Sequence, residues 1–251
     1  MSYTLWSVHL ADGVLAAPWL LAGWLGAASL LAVALWKLRE EEIPRIGLLS
    51  AAFFVSSSLH IRLPVVPTSV HLLLNGLVGV LLGRRAPAAI AVGLALQYLL
   101  LAHGGLTTLG LNTCIMSLPA LAAAWGEQSL RHRLPAPLRG ALVGGGCVAG
   151  TAVLNFLALL WGGKEEWGML ASLVLLAHLP VAGVEAIILG VLLAYLERVK
   201  PELLASMPWG NNSTAPVHAG NSGLTRESQA EMPIPIPSSP AGKEQNDHTE
   251  G

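Results

Sequence analysis

Apolar residues in this chain gather into long uncharged blocks separated by short charged or Pro- and Gly-containing breaks. From 13 to 36 no residue is charged. At about 1.5 Å per helical residue, that run exceeds the ~30 Å hydrocarbon core of a bilayer, which predicts a transmembrane helix. A cleaved signal peptide starts basic and has a shorter apolar region, whereas residues 1–12 hold no Lys or Arg, so this helix is expected to stay in the mature protein. Six further blocks follow at 46–61, 69–83, 87–102, 108–125, 140–161 and 167–196, making seven spans. The pattern predicts an all-α, polytopic membrane helical bundle. The second and third blocks fall short of the usual ~20 residues and are expected to be tilted, locally broken or shielded by neighbours.

Charge between the blocks orients the bundle. One set of loops carries ten basic residues (Lys37, Arg39, Arg45, Arg84, Arg85, Arg131, Arg133, Arg139, Arg198 and Lys200), and the other carries two, Arg62 and Lys164. Positive charge is retained on the cytoplasmic side, which places the N-terminus outside and the C-terminus inside, as an odd number of spans requires. After Lys200 the composition turns to Asn, Ser, Thr, Pro and Gly, with a Pro-rich piece at 233–240. Residues 201–251 are expected to be a disordered cytoplasmic tail, with His218 and His248 solvated in it.

Composition narrows the function classes. Of 251 residues 53% are hydrophobic and only 12% charged, about half the charge of an average soluble domain, which argues against an ordinary globular enzyme. A formal net charge of -1 leaves no basic excess for nucleic acid. Cys114 and Cys147 lie in apolar stretches and suit packing better than a disulfide framework. Gly76, Gly79 and the Gly144, Gly145, Gly146 run allow helix backbones to approach closely.

Polar residues whose burial needs a reason point to chemistry. The topology gathers His9, His60, His71 and His103 at the outer face, and imidazoles meeting on one side of a bundle suit a metal ion. Taken singly, His60 and His103 also suit hydrogen bonds to water or a loop carbonyl. His132, between two arginines, reads as a solvated loop residue. His178 precedes Pro180 and is placed to satisfy backbone groups that a proline frees. Glu185, charged and well inside a span, is expected to have a buried partner or to touch another subunit. Two other function classes use the same residues: an intramembrane redox protein with His60, His71, His103 and His178 as haem ligands, or a membrane hydrolase using Ser56, Ser57 and Ser58 near His60. A serine run at a helix end more often bonds its own backbone. The chain lacks GxxxxGK[ST], so it carries no P-loop to power transport.

Four segments, in order along the chain, carry a family resemblance. His9-Leu10-Ala11-Asp12-Gly13 resembles the Met-His-Ile-Ala-Asp-Gly start of the CbiM/NikM family, the substrate-capture (S) components of cobalt and nickel energy-coupling-factor (ECF) transporters. Thr68-Ser69-Val70-His71-Leu72-Leu73 resembles its Thr-Ser-Gly-His-Leu-Leu, and the stretch from Gly104 to Asn112 resembles its Gly-Gly-Leu-Thr-Ala-Leu-Gly-Ala-Asn. His178-Leu179-Pro180 through Glu185 to Lys200-Pro201-Glu202-Leu203-Leu204 resembles its last helix and exit. Neither rival class explains these ordered matches.

The resemblance implies a component without its own ATPase site, resident in the plasma (inner) membrane, that captures Ni(II) or Co(II) at its outer face for import. Its implied partners are a transmembrane coupling subunit, two ATP-binding cassette ATPase subunits and often a small accessory membrane protein. In the family the metal is held by the amine of the first residue, the backbone nitrogen and imidazole of the second, and a later imidazole, a planar nitrogen set that suits Ni(II) or Co(II). Carried over, His9 is the second residue and His71 the fourth donor. Residues 1–7 then precede the matching start, and the expectation is that Val8 is a GTG initiation codon, translated as Met, with 1–7 an extension and 8–200 the metal-capture domain. His103 stands where the family has Asp. It is expected to support the site or add a ligand; Asp12 is expected to cap span one, and Asn112 to bond a loop carbonyl or the terminal segment.

Overall fold

The computed structural model describes residues 9–58, 60–62 and 69–205; the expected start at Val8 and residues 206–251 of the expected tail lie outside them. Seven helices take up the seven apolar blocks: α1 (Ala17–Leu35), α2 (Ile43–Ser58), α3 (Asn75–Leu82), α4 (Ala86–Leu101), α5 (Leu109–Leu130), α6 (Ala136–Gly162) and α7 (Gly168–Val199). Prolines in the first turns of α1, α4 and α6 mark their starts, where a missing N–H costs no helical hydrogen bond. Among the described residues, five helical stretches are long and apolar enough to cross a membrane: α1, α5, α6, Ala171–Val199 of α7, and Asn75–Leu101 taken through its break. The chain is a polytopic helical membrane bundle.

A small two-stranded sheet accompanies the helices. Strands β1 (His60–Arg62) and β2 (Ser69–His71) pair antiparallel, with Ile61 opposite Val70. Of the alternatives for the short third block, a break is what occurs. Ser69–His71 is strand, residues 72–74 belong to no regular element, and α3 has only 8 residues, about 12 Å of helix. It stops at Gly83, whose φ of 53° suits glycine, and a turn at Gly83–Arg85 leads into α4.

Hydrogen bonds gather the loops at two ends. At one end, the segment before α1 meets the α4–α5 loop and the end of α6: Ala16 N–H donates to the Gly162 carbonyl at 2.8 Å and Lys164 N–H to the Val14 carbonyl at 3.0 Å. At the other end, Arg85 donates to the carbonyls of Ala34, Trp36 and Lys37 at the C-terminus of α1 and pairs with Glu42 at 2.8 Å. Arg139 (1% exposed) pairs with Glu127 (2%) at 3.2 Å and with Glu197 at 2.8 Å, joining α5, α6 and α7. Both Glu127 and Arg139 lie just beyond the expected span limits, yet within helices and buried.

The start of the expected tail is ordered, a correction to its boundary. Residues Pro201–Ala205 form α8, where Leu204 is buried among Val80, Val143 and Leu193. Arg131 and Arg45 bond the Leu204 and Leu203 carbonyls at 2.7 and 3.0 Å, cations at a helix C-terminus where the dipole favours them.

Glycines set the closest helix contacts. A Cβ on Gly79 of α3 would lie 2.0 Å from the Ala120 carbonyl oxygen of α5, and one on Gly23 of α1 2.6 Å from Leu111 Cβ. In α6, a Cβ on Gly144 would lie 2.8 Å from the Glu185 carbonyl oxygen. Lipid offers little hydrophobic drive, so dispersion across such close backbones holds the bundle.

Candidate metal centre

His9, in the irregular segment before α1, and His71, the last residue of β2, lie side by side. Their rings are stacked at 5.2 Å between centroids and 19° between planes. Both are buried, at 5% and 1% exposure. His71 Nδ1 lies 3.2 Å from the Leu72 carbonyl oxygen. A carbonyl only accepts, so Nδ1 carries the proton and Nε2 the lone pair, the arrangement of a metal-ligating imidazole held by its other nitrogen.

The backbone beside His9 is clamped from α5. Asn112 takes the Leu10 N–H on Oδ1 and donates Nδ2 to the Leu10 carbonyl, both at 3.0 Å; Thr108 Oγ1 donates to the same carbonyl. This matches the expectation that Asn112 bonds the terminal segment. Asp12 behaves otherwise than expected. Helix α1 begins at Ala17 without a side-chain cap, too far along the chain for Asp12. Its carboxylate instead accepts from Leu106 N–H at 3.1 Å, Thr107 N–H at 2.8 Å and the Thr107 hydroxyl. Partial burial pushes the Asp12 carboxyl up, but these bonds outweigh it and hold the group below its ordinary value. Gly105 is required here, because a Cβ would lie 2.2 Å from Asp12 Oδ1. Gly104 has a φ of 80°, and a Cβ there would lie 3.6 Å from that of His9. Two motifs separated by about ninety residues in the sequence thus form one structural unit.

His71 is positioned from below by the broken span. Leu73 and Leu74 N–H groups both donate to the Glu185 carboxylate, the second at 2.9 Å. Asn75 Nδ2 donates to Thr151 Oγ1 at 2.9 Å and to the Met116 carbonyl at 3.1 Å. The buried partner expected for Glu185 is therefore backbone rather than a cation.

The remaining candidates are placed as follows. His60 is the Cα partner of His71 in the strand pair. His103 follows α4, its N–H bonded to the Gln97 carbonyl at 3.2 Å, and precedes Gly104. Among the described residues no three His, Cys, Asp or Glu side chains converge as a metal cluster, so any ion at His9 and His71 needs nitrogen or oxygen of another kind. His178 bonds the Val174 carbonyl through Nδ1 at 2.6 Å, and not the Leu176 carbonyl that Pro180 leaves without an amide partner. Its distance of four residues fixes this choice, since a side chain reaches its own preceding turn first. The hydroxyls of Ser56, Ser57 and Ser58 donate to carbonyls of Phe53 and Phe54 in their own helix. His132 is exposed.

Sequence reasoning missed Thr108 and Asn75 as supports. Thr108 begins the fifth apolar block and Asn75 lies inside the third, and both are buried where a hydrophobic residue would ordinarily serve. That placement was the available signal.

A family model described as "CbiM: Cobalt uptake substrate-specific transmembrane region" matches residues 9–203. A candidate metal transport protein from Haemophilus influenzae is 35% identical over 204 residues, covering 78% of this chain and 97% of the relative. A candidate fused cobalt transport protein, CbiMQ, from Methanocorpusculum labreanum is 32% identical over 222 residues, covering 80% of this chain and 37% of the relative. The crystal structure of a transition metal transporter shares the fold, with a TM-score of 0.64 at 24% identity over 76% of this chain and 93% of that one. With the membrane bundle, the paired imidazoles and a family match over most of its length, this chain belongs to the CbiM family, the substrate-specific transmembrane components of cobalt uptake.

Proposed function

We propose that this protein captures Co(II) or Ni(II) at the outer face of the plasma membrane and passes it inward as the substrate-binding part of an ATP-driven ECF transporter. The single observation that carries the reading is the pair His9 and His71, stacked and buried at one end of the bundle. That end carries Arg62 and Lys164, against ten basic residues at the other, which makes it the outer one. The set is completed, on this reading, by the backbone nitrogen of His9 and by the amine of Val8 as the initiating residue. Consecutive amine, amide and imidazole nitrogens close fused chelate rings around one ion, and four nitrogens in a plane suit Ni(II) and accept Co(II). Asp12, Asn112 and His103 support that set, and His60 stands across the strand pair from it. The ion is cargo, so its hold must be releasable.

Energy comes from partners: a transmembrane coupling subunit and two ATP-binding cassette ATPases, with a small accessory membrane subunit. The fused CbiMQ relative, of which this chain matches about a third, supports a permanent neighbour in the membrane.

Native mass spectrometry of the protein expressed from its own start region and exposed to Ni(II) or Co(II) tests this directly. One bound ion on a chain beginning at Val8, read as Met, is the expected result, with the ion lost in His71→Ala although that variant still inserts in the membrane. An unchanged ion load in His71→Ala rejects the site.

A further inference from the structure

The third span changes backbone conformation beside the site, and that change exposes donors. Leu73 and Leu74 precede the first turn of α3, so no carbonyl of that helix accepts their N–H groups. Within a bilayer such groups need a protein partner, since water is not at hand. Glu185 supplies it from the middle of α7, 112 residues further on, with its carboxylate against both amides and its side chain 2% exposed. Leu74 itself has φ 49° and ψ 11°, a left-handed conformation that a leucine keeps only when its surroundings hold it. His71 lies two residues before Leu73, and the intervening Leu72 carbonyl accepts the His71 Nδ1–H. Carboxylate, two amides, one carbonyl and the imidazole form a short continuous chain of contacts. The far end of this chain is rigid as well: the Glu185 carbonyl lies where a Cβ on Gly144 would be 2.8 Å away, so α7 lies directly on α6 at that level.

We propose that Glu185 is a positioning residue for metal capture: its carboxylate caps the broken span and thereby fixes the tautomer and orientation of the His71 ring. The inference rests on the reading of His9 and His71 as donors. It assigns the buried carboxylate in the middle of α7 to geometry, with no contact to the ion. What Glu185 provides is an oxygen acceptor at a set reach, so an amide oxygen there serves as well and a hydrocarbon does not.

The test compares the full chain with its Glu185→Gln and Glu185→Leu variants, titrated with Ni(II) alone while the visible d–d absorption band of planar Ni(II) is followed. Glu185→Gln is expected to keep the wild-type band and affinity. Glu185→Leu is expected to bind about 10- to 100-fold more weakly, as loss of a ligand's hydrogen-bonded support does elsewhere, with the band shifted or lost at unchanged helical circular dichroism. A folded Glu185→Leu variant with wild-type affinity and band overturns the proposal, as does a Glu185→Gln variant as impaired as Glu185→Leu. Should Glu185→Leu fail to fold, amide hydrogen exchange on the metal-free wild type decides: slow exchange at Leu73 and Leu74 supports the cap, and exchange at the rate of unstructured amides overturns it. A wild type with no Ni(II) band overturns the donor assignment and this inference with it, whereas a normal wild-type band beside an indifferent Glu185→Leu overturns the inference alone.

Discussion

Asn112 and Asp12 hold adjacent pieces of the same segment, but only one of these attachments is sensitive to acid. The amide of Asn112 is neutral at every pH, while the grip of Asp12 on Leu106 and Thr107 needs its carboxylate ionised. A folded-state value below the ordinary 3.8 means that ionised Asp12 stabilises the fold above that pH, and that the contribution disappears as pH falls through the lowered value. Glu42 behaves in the same sense at the opposite end, where burial pushes it up and the Arg85 and Arg39 bonds more than offset this. Thermal melts from about pH 6 to about pH 3 should therefore fall steeply only below about pH 4. Asp12→Asn should start less stable at neutral pH and lose less on acidification; an identical acid limb in the variant would dissociate Asp12 from the lock. Which residues meet at the candidate site was legible from motifs, since His9, His71 and Asn112 each sit in a recognisable stretch. The partner of Asp12 was not, because nothing local to 9–13 says that the loop near residue 106 folds back on it.

At the scale of elements, close backbones rather than bulky side chains decide how the spans fit. Gly79→Ala would drive a Cβ into the Ala120 carbonyl, and α3, with six of its 8 residues buried against neighbouring helices, has little room to shift. A loss of about 1–3 kcal/mol is expected, the usual cost of overpacking, read as a lowered melting temperature. Gly146→Ala, with nothing within 4 Å of the new carbon, should show no loss and serves as control. Equal effects of the two substitutions would remove close packing as the explanation. The existence of seven helices was legible from uncharged length alone. For the third, the short length pointed to tilt, a break or shielding, but the choice among them was not legible: Ser69-Val70-His71-Leu72-Leu73-Leu74 is apolar whether coiled or extended, and hydropathy does not distinguish the two over so short a run.

Over the whole molecule, basic residues serve two purposes that a count of charges merges. Exposed ones such as Arg133 and Arg198 bias orientation in the bilayer, whereas Arg85 and Arg139 are buried and tie helix ends together. Removing Glu127 should be costly, since Arg139 then keeps Glu197 but loses its buried carboxylate, and Arg131 loses that partner as well. Glu127→Leu is expected to destabilise the fold by about 1–3 kcal/mol, less than the full loss of a buried pair because Glu197 stays on Arg139, while metal affinity of the proposed site at the far end stays as in the wild type. A variant that melts normally would make the ion pair incidental. The sequence shows both charges but not their pairing, because Glu127 and Arg139 fall outside the apolar blocks and read there as solvated loop residues.

The contacts that hold the two imidazoles run far along the chain: Leu10 to Asn112 spans 102 residues and Leu73 to Glu185 spans 112. A ribosome releases these parts in order. When His71 has entered the membrane, both imidazoles exist but neither is held; Asn112 fixes the first only after α5 is made, and Glu185 fixes the second only with the last long helix. On the proposed reading of His9 and His71, competence for cargo comes at the end of synthesis, so an incomplete chain in the membrane contains both histidines and no organised place for an ion.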